Sequence, residues 1–156
     1  MPHQREDLDV AAGRSQEVAT LTVDDHAGCR EALRDLVAAA RGFVLVGEAC
    51  SGEEAVDAVE RLAPRLVVMD VVMPGMGGVA ATRVILTQHP ELVVVLVSVD
   101  EPGLHPEART LGTAVALARK QDLRPDSLRQ LWEAHGNSDL DRGVVDRVED
   151  GSCQRD

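Results

Sequence analysis

The sequence predicts an α/β fold, a doubly wound parallel sheet of five strands with helices on both faces. Short β-branched or apolar segments alternate with segments of helical periodicity along the chain, which indicates strand–helix units in series. Two predicted strands, LVVM (66–69) and LVVVLVS (92–98), are almost wholly apolar, as expected for strands buried on both faces. Strand–helix units in series favour parallel strands, because each helix returns the chain to the same edge of the sheet.

The first half of the sequence contains two such units. VATLTV (18–23) is rich in β-branched residues and predicts the first strand. The helix after it has one apolar face, formed by Cys29, Ala32, Leu33, Leu36, Val37 and Ala40. FVLVGEA (43–49) predicts the second strand. Ser51, with Glu54 three residues later, predicts the start of the second helix, and Pro64 predicts its end.

The second half of the sequence contains three further strands and their connections. These segments follow in the order strand 66–69, helix 78–88, strand 92–98 and strand 113–118. Segment 101–111 predicts a poor helix, because proline and glycine weaken its start. A last helix has Pro125 near its start and ends at Gly136. Its predicted inner face consists of Leu128, Leu131 and Trp132.

The sequence predicts one domain, residues 18–136, with two polar extensions. Residues 1–17 lack periodicity and any apolar signal-peptide segment, and they predict a flexible N-terminal arm. Residues 137–156 have few large apolar side chains and predict an acidic, mobile tail. No apolar run reaches the roughly 18 residues typical of a membrane span.

The composition excludes several classes of function. The chain carries 27 acidic and 16 basic residues, a formal net charge of -11, which argues against non-specific binding to nucleic acids or anionic membranes. One Trp, one Phe and no Tyr leave no aromatic platform for single-stranded nucleic acid. Three cysteines without a CxxC pair predict neither a disulfide framework nor a zinc site, and they favour a reducing cytoplasm.

Polar side chains gather where the predicted strands end. Asp24 and Asp25 follow the first strand, Asp70 follows the third, Ser98 ends the fourth, and Lys120 lies just beyond the fifth. Because parallel sheets bind ligands beyond the carboxyl ends of their strands, we expect these side chains to lie together. Three clustered carboxylates repel one another, and a hard cation such as Mg²⁺ would relieve that repulsion. The serine and the lysine suit phosphoryl oxygens, and Asp70 suits a nucleophile that forms an acyl phosphate.

Simpler interpretations of single residues stay open at this point. Asp24 and Asp25 could merely cap the first helix. The position of His26 favours a residue in the first turn of that helix over a histidine that relays a phosphoryl group. The GMGG run (75–78) lacks the spacing of a nucleotide-binding loop.

Four motifs in order resemble the receiver domain of two-component response regulators. They are TVDDH (22–26), VVMDVVMPGMGG (67–78), LVS (96–98) and ARKQDL (118–123), and the resemblance covers residues 18–135. The spacing of the key residues also resembles that of the family, with 45 residues from Asp25 to Asp70, 28 more to Ser98 and 22 more to Lys120. The opening and the MPGM segment are most similar to receivers that usually precede a helix-turn-helix output domain. The resemblance implies the flavodoxin-like strand order 2-1-3-4-5.

The resemblance also implies roles for individual residues. Asp70 corresponds to the phosphoacceptor, Ser98 to the switch hydroxyl and Lys120 to the phosphate-binding lysine. The implied Mg²⁺ ligands are Asp24, Asp25, Asp70 and the backbone carbonyl of Val72.

The implied function is a stand-alone, Mg²⁺-dependent receiver. It would take a phosphoryl group from a histidine kinase or phosphotransfer protein and signal by contact with a downstream protein. It would assist its own phosphorylation and dephosphorylation without being an enzyme in the usual sense. The resemblance further implies a cytoplasmic protein with no direct contact to nucleic acid or membrane, and leaves homodimerisation open.

The sequence departs from the family pattern at four places. Leu117 occupies the position of the aromatic switch residue, Val99 follows the switch hydroxyl where a small residue is usual, and Gly77 replaces a common aspartate. The twenty residues after Gly136 predict no output domain. Leu117 and Val99 favour an alternative, a receiver-fold interaction module that acts without phosphorylation. The complete set of Asp24, Asp25, Asp70, Ser98 and Lys120 opposes it. A phosphohydrolase ranks last, because such enzymes need an acidic residue two positions after the nucleophile, where this chain has Val72.

Overall fold

The computed structural model describes residues 17–100, 105–112 and 114–135, and they form a five-stranded parallel sheet with helices on both faces. The strand order is β2-β1-β3-β4-β5, with every neighbouring pair parallel. The strands are β1 Val18–Val23, β2 Phe43–Ala49, β3 Leu66–Asp70, β4 Val93–Ser98 and β5 Val115–Arg119. The predicted fold class and strand order are confirmed.

In the described residues, four α-helices cover the two faces of the sheet. They are α1 Ala27–Ala39, α2 Gly52–Leu62, α3 Gly78–Gln88 and α4, residues 125–135. Buried side chains of α2 and α3, such as Val59 and Ile85, pack with Leu21, Met69 and Leu96 of the sheet. The opposite face packs against α1 and α4 through Leu33, Val37 and Leu128. Both faces of β3 and β4 are therefore buried, which explains why their sequences are apolar throughout.

The second helix begins as its sequence predicts. Ser51 Oγ accepts a hydrogen bond from the Glu54 backbone N–H at 3.0 Å. Glu54 Oε1 in turn accepts from the Cys50 N–H at 2.8 Å, one residue before the cap itself. The helix ends at Ala63, whose φ of 50° is left-handed, and Pro64 follows it. Both ends of α2 thus follow from local side-chain and backbone chemistry.

The connection between β4 and β5 differs from its prediction. In place of the predicted poor α-helix over 101–111, the described part forms a 3₁₀ helix, Pro106–Leu111. Pro106 occupies its first position, and Gly112, with a φ of 105°, follows its last residue and ends it. A six-residue segment between these two residues is too short to accumulate α-helical hydrogen bonds. The fifth strand consequently starts at Val115, two residues later than predicted.

The two predicted extensions lie almost wholly outside the described residues. Of the N-terminal arm only Glu17 is described, and of residues 136–156 none is. Within the described part of the chain, no helix has the length and hydropathy needed to cross a membrane.

Candidate functional site

Two aspartates stand side by side at the carboxyl edge of the sheet. Val23 of β1 pairs in register with Met69 of β3, so the next residues, Asp24 and Asp70, are neighbours. Asp24 is fully buried and Asp70 is 5% exposed. The predicted meeting of these two carboxylates at the ends of adjacent strands is confirmed.

The other predicted polar residues reach the same edge. Asp70 pairs in register with Val97, and Ser98 follows as the last residue of β4. Ser98 pairs with Arg119 of β5, and Lys120 comes next. Parallel register therefore delivers a hydroxyl and an ammonium beside the carboxylates.

Lys120 joins the two buried carboxylates. Its Nζ lies 2.8 Å from Asp24 Oδ2 and 3.3 Å from Asp70 Oδ2, and its side chain is 19% exposed. Burial lowers the pKa of Lys120, but the contact with Asp24 and the charges of Asp70 and Asp24 outweigh it and raise that pKa above its ordinary value. The lysine therefore remains an ammonium ion at neutral pH.

Burial and the neighbouring charges shift the pKa of Asp70 in opposite directions. Burial raises its pKa, the charge of Lys120 lowers it, and the charge of Asp24 raises it again, so that the net pKa lies above the ordinary value. The Val72 backbone N–H donates to Asp70 Oδ1 at 3.2 Å and holds the carboxylate in place. One lysine is thus not enough to offset two buried carboxylates, and the site favours additional positive charge.

The donor set at this edge fits a hard divalent cation. Ligand atoms of Asp24, Asp25, His26 and Asp70 lie within 4.8 Å of one another. Asp25 Oδ1 is buried and has no hydrogen-bond partner among the residues described. Carboxylate oxygens that converge from separate strands and loops are the ligands that Mg²⁺ prefers. Val72 lies on the loop just after Asp70 and is 62% exposed, and a role for its carbonyl oxygen stays a prediction.

His26 directly precedes the first helix instead of lying within its first turn, and its side chain makes no capping hydrogen bond. It is the N-cap residue of α1, and its backbone N–H donates to Asp24 Oδ1 at 3.0 Å. Its exposed ring approaches Asp25, with 3.4 Å between Nδ1 and Oδ1. Cys29, on the same helix, also comes within 4.8 Å of the His26 and Asp24 ligand atoms. The tight turn from β1 into α1 explains why these side chains are close.

Ser98 has a buried partner that no sequence motif predicts. Its Oγ lies 3.0 Å from Nε2 of His105, which is 9% exposed, and it accepts a hydrogen bond from the Asp100 N–H at 2.9 Å. His105 lies seven residues further along a connection with no periodicity. Only the path of that connection, which no motif specifies, brings the ring to the hydroxyl.

The residues that depart from the family pattern lie around this edge. Leu117 is half-buried on β5 and packs against the core beneath α2 and α3. Val99 is 65% exposed, so its side chain points largely into solvent. Gly77 is the N-cap of α3 and provides no capping side chain.

Comparison with known proteins gives one consistent result. The family model of the response regulator receiver domain matches residues 20–124. The response regulator GacA of Pseudomonas viridiflava is 43% identical over 89 residues, which are 57% of this chain and 42% of that protein. A protein-glutamate methylesterase/protein-glutamine glutaminase of Geobacter metallireducens is 42% identical over 107 residues, 67% of this chain and 31% of the relative.

Solved structures agree with the sequence relatives. The response regulator domain of Thermotoga maritima CheB superposes with a TM-score of 0.64 at 27% identity, covering 76% of this chain and 96% of that one. This chain spans less than half the length of the two curated relatives above. The similarity therefore concerns the domain that bears the acidic edge, and not the whole activity of those larger proteins.

Proposed function

The chain belongs to the response regulator receiver family, and on that premise we propose that Asp70 accepts a phosphoryl group in a Mg²⁺-dependent reaction. The observation that carries this proposal is the partly buried Lys120 ammonium, which contacts both Asp24 and Asp70. A cation anchored beside a buried carboxylate is placed to contact the oxygens of a group transferred to that carboxylate. The donor is a histidine kinase or a phosphotransfer protein.

In the transfer, an Asp70 carboxylate oxygen attacks phosphorus. The new phosphorus–oxygen bond forms as the bond from phosphorus to the donor's imidazole nitrogen breaks, and the electron pair of that bond stays with the nitrogen. Lys120 contacts one phosphoryl oxygen, and Ser98 donates its hydroxyl hydrogen to another. Asp24, Asp25, Asp70 and the Val72 carbonyl would hold the cation. When bound, Mg²⁺ supplies positive charge that offsets the carboxylates and the phosphoryl oxygens.

The phosphorylated domain signals by contact with another protein. An acyl phosphate adds negative charge and acceptor oxygens next to Ser98 on β4 and Lys120 beyond β5. The neighbouring surface of β5 and α4 is therefore where a downstream partner would detect the change. The net charge of -11 argues against nucleic acid as that partner. The chain assists its own phosphorylation and dephosphorylation and has no separate substrate.

Intact-mass measurement tests the proposal directly. After incubation with acetyl phosphate and Mg²⁺, the parent should gain the mass of one phosphoryl group and Asp70→Asn should gain none. Asp57→Asn is the matched control, because Asp57 is an exposed aspartate on α2 with a side chain 81% accessible. It should be phosphorylated like the parent. A folded parent that gains no mass would instead support a receiver-fold module that acts without phosphorylation.

A further inference from the structure

A second group of metal-binding side chains lies where α1 begins, beside the acidic edge of the sheet. Asp24, His26 and Cys29 each offer one donor atom, and the three atoms lie within 4.8 Å of one another. Asp24 is fully buried, and Cys29 is a partly buried free thiol. Of these three residues the proposed Mg²⁺ site uses the aspartate alone, so the imidazole and the thiol have no role in it.

The turn from β1 into α1 holds these three side chains together. The His26 backbone N–H donates to Asp24 Oδ1 at 3.0 Å, and Arg30 Nη1 donates to the Asp24 carbonyl at 2.8 Å. Cys29 is the third residue of α1, and helical side chains lean toward the N-terminus of their helix. Local hydrogen bonds and helix geometry therefore bring the donor atoms together without a ligand.

The imidazole lies at a metal-coordination spacing from two carboxylates. His26 Nδ1 is 3.6 Å from Asp24 Oδ1 and 3.4 Å from Asp25 Oδ1. Both distances exceed those of ordinary N–H···O hydrogen bonds. Nitrogen and oxygen ligands at about 2.0–2.1 Å from a tetrahedral ion lie roughly 3.4 Å apart, so the observed distances match neighbouring ligands of one zinc-like ion.

The arrangement of the remaining donor atoms supports the same site. Lys120 contacts the other oxygen of Asp24, and Asp25 Oδ1 is buried with no hydrogen-bond partner among the described residues. An ion pair between a protonated His26 and the aspartates would account for the two carboxylates but not for the thiol of Cys29. The His26 side chain is 71% exposed, so its ring can rotate to bring nitrogen closer to the sulfur.

We propose that Asp24, His26 and Cys29 form a binding site for a thiophilic divalent cation of the zinc class. Zn²⁺ binds thiolate sulfur, imidazole nitrogen and carboxylate oxygen, whereas Mg²⁺ prefers oxygen ligands. Asp25 Oδ1 or a water molecule fills the fourth position. The Cys29 thiol gives its proton to solvent as the sulfur binds the metal.

Occupation of this site would inhibit the proposed phosphoryl transfer. The two metal sites share Asp24, and two divalent cations at adjacent positions repel each other. A bound zinc ion therefore excludes Mg²⁺ and lowers phosphorylation of Asp70. The zinc site itself does not depend on the proposed function, but this inhibitory consequence rests on it.

Cobalt absorption spectroscopy tests the site without any phosphoryl group. Co²⁺ substitutes for Zn²⁺ in such sites, and a cobalt–thiolate bond gives a charge-transfer band in the near ultraviolet. The untagged, reduced parent should gain this band on addition of Co²⁺, and Zn²⁺ should abolish it. Cys29→Ser should lack the band. Cys50→Ser and Cys153→Ser are the matched controls, because they remove the other two of the 3 cysteines, and both should keep it.

The imidazole ligand is tested by a second pair of variants. His26→Gln should weaken Co²⁺ binding by more than roughly tenfold, since even the indirect partners of metal ligands contribute that much. His89→Gln changes a histidine that follows α3 and contacts Glu60, and it should bind Co²⁺ like the parent. Circular dichroism establishes that each variant is folded, and Cys29→Ala replaces Cys29→Ser if the serine variant does not fold.

Three results would overturn the inference. They are a parent without the charge-transfer band, a band that survives the change of Cys29, and equal Co²⁺ affinity in the parent and in His26→Gln.

Intact mass after incubation with acetyl phosphate tests the inhibitory consequence separately. The phosphorylated fraction is compared with and without Zn²⁺ at constant Mg²⁺, and Zn²⁺ should lower it much more in the parent than in Cys29→Ser. An equal loss in both proteins would show that Zn²⁺ displaces Mg²⁺ through the carboxylates alone, which overturns the inhibitory role of this site. A parent that is not phosphorylated even without Zn²⁺ would contradict the proposed function, while the cobalt band would still decide the zinc site.

Discussion

At the scale of single residues, the pair Asp24 and Asp25 determines whether a cation binds. Their carboxylates converge with Asp70, and Asp25 Oδ1 has no hydrogen-bond partner among the described residues. Mg²⁺ at about ten times its Kd should therefore raise the Tm of the parent by about 3–6 °C. The double variant Asp24→Asn with Asp25→Asn should lose this rise, as measured by thermal unfolding with and without Mg²⁺.

The control for this prediction removes the same charge elsewhere. Asp35→Asn with Asp57→Asn changes two exposed aspartates on α1 and α2. Its Mg²⁺-dependent rise should equal that of the parent. If the Asp24 and Asp25 variant kept the full rise, the cation would bind at another site.

A second prediction concerns the charge of Asp70 in the metal-free protein. Burial raises the pKa of Asp70 in the folded state. A raised pKa means that the folded state binds the proton more tightly than the unfolded chain. The resulting stability is present below the unfolded pKa of about 3.9 and is lost as the pH rises through the folded pKa. At neutral pH the ionised Asp70 therefore lowers the free energy of unfolding.

Replacing this carboxylate by a neutral amide should stabilise the protein without metal. Asp70→Asn should raise the Tm by several degrees at neutral pH in the presence of a chelator. The loss of the Lys120 contact costs little, because the lysine keeps Asp24 at 2.8 Å. The advantage should shrink on acidification toward the ordinary aspartate pKa. Urea unfolding at both pH values measures it, and a less stable Asp70→Asn at neutral pH would show that the Lys120 attraction outweighs burial.

At the scale of elements, the N-terminus of α3 is packed directly on the end of β3. A Cβ on Gly78 would meet the carbonyl oxygen of Asp70 and lie 3.0 Å from the Val71 Cα. The Gly78 N–H also donates to the Val71 carbonyl at 2.9 Å. Backbone atoms cannot move aside as a flexible side chain can, so any added carbon must push the strand end that carries Asp70.

Gly78→Ala should therefore destabilise the protein by about 1–3 kcal/mol and weaken the Mg²⁺-dependent rise in Tm. Gly28→Ala is the matched control, because a Cβ there meets nothing within 4 Å and Gly28 lies within α1. That change should stabilise the protein by less than about 1 kcal/mol, because Gly28 lies in the first turn and not in the helix interior. Urea unfolding measures the free energy of unfolding of both variants. Equal values would contradict the prediction, because the end of β3 would then move aside for the added carbon without loss of stability.

Elements whose residues follow a local pattern were predictable from the sequence, and contacts between distant segments were not. The apolar runs of β3 and β4 and the cap of α2 at Ser51 are local signals, and the structure confirms them. The convergence of Asp24 and Asp70 follows from parallel register alone. The contact of His105 with Ser98 depends on the course of an aperiodic connection, and the approach of Gly78 to Asp70 depends on how a helix packs on a strand.

At the scale of the whole molecule, a phosphoryl group on Asp70 can change the conformation of other parts of the domain through the sheet. Among the described strands, β5 lies at the edge of the sheet and pairs with β4 alone. Leu117 on β5 packs in the core with Val115, and it has no hydroxyl to bond at the surface. The rotamers of Leu117 should differ little in exposure. Phosphorylation should therefore stabilise one conformation of the domain only slightly more than the other, and the equilibrium between them should shift little. We therefore predict a muted response, confined to residues 98–120.

Hydrogen exchange with and without beryllofluoride and Mg²⁺ measures this response. Protection should change between residues 98 and 120 and on the adjoining surface of β5 and α4, while α1 and α2 stay unchanged. Leu117→Tyr restores an aromatic ring with a hydroxyl at the same place, and its two positions differ in exposure and hydrogen bonding. It should therefore enlarge the change over the same residues. A large change centred on α1 and α2 would contradict this route, because the mimic would then act through the first half of the sheet instead of through Ser98.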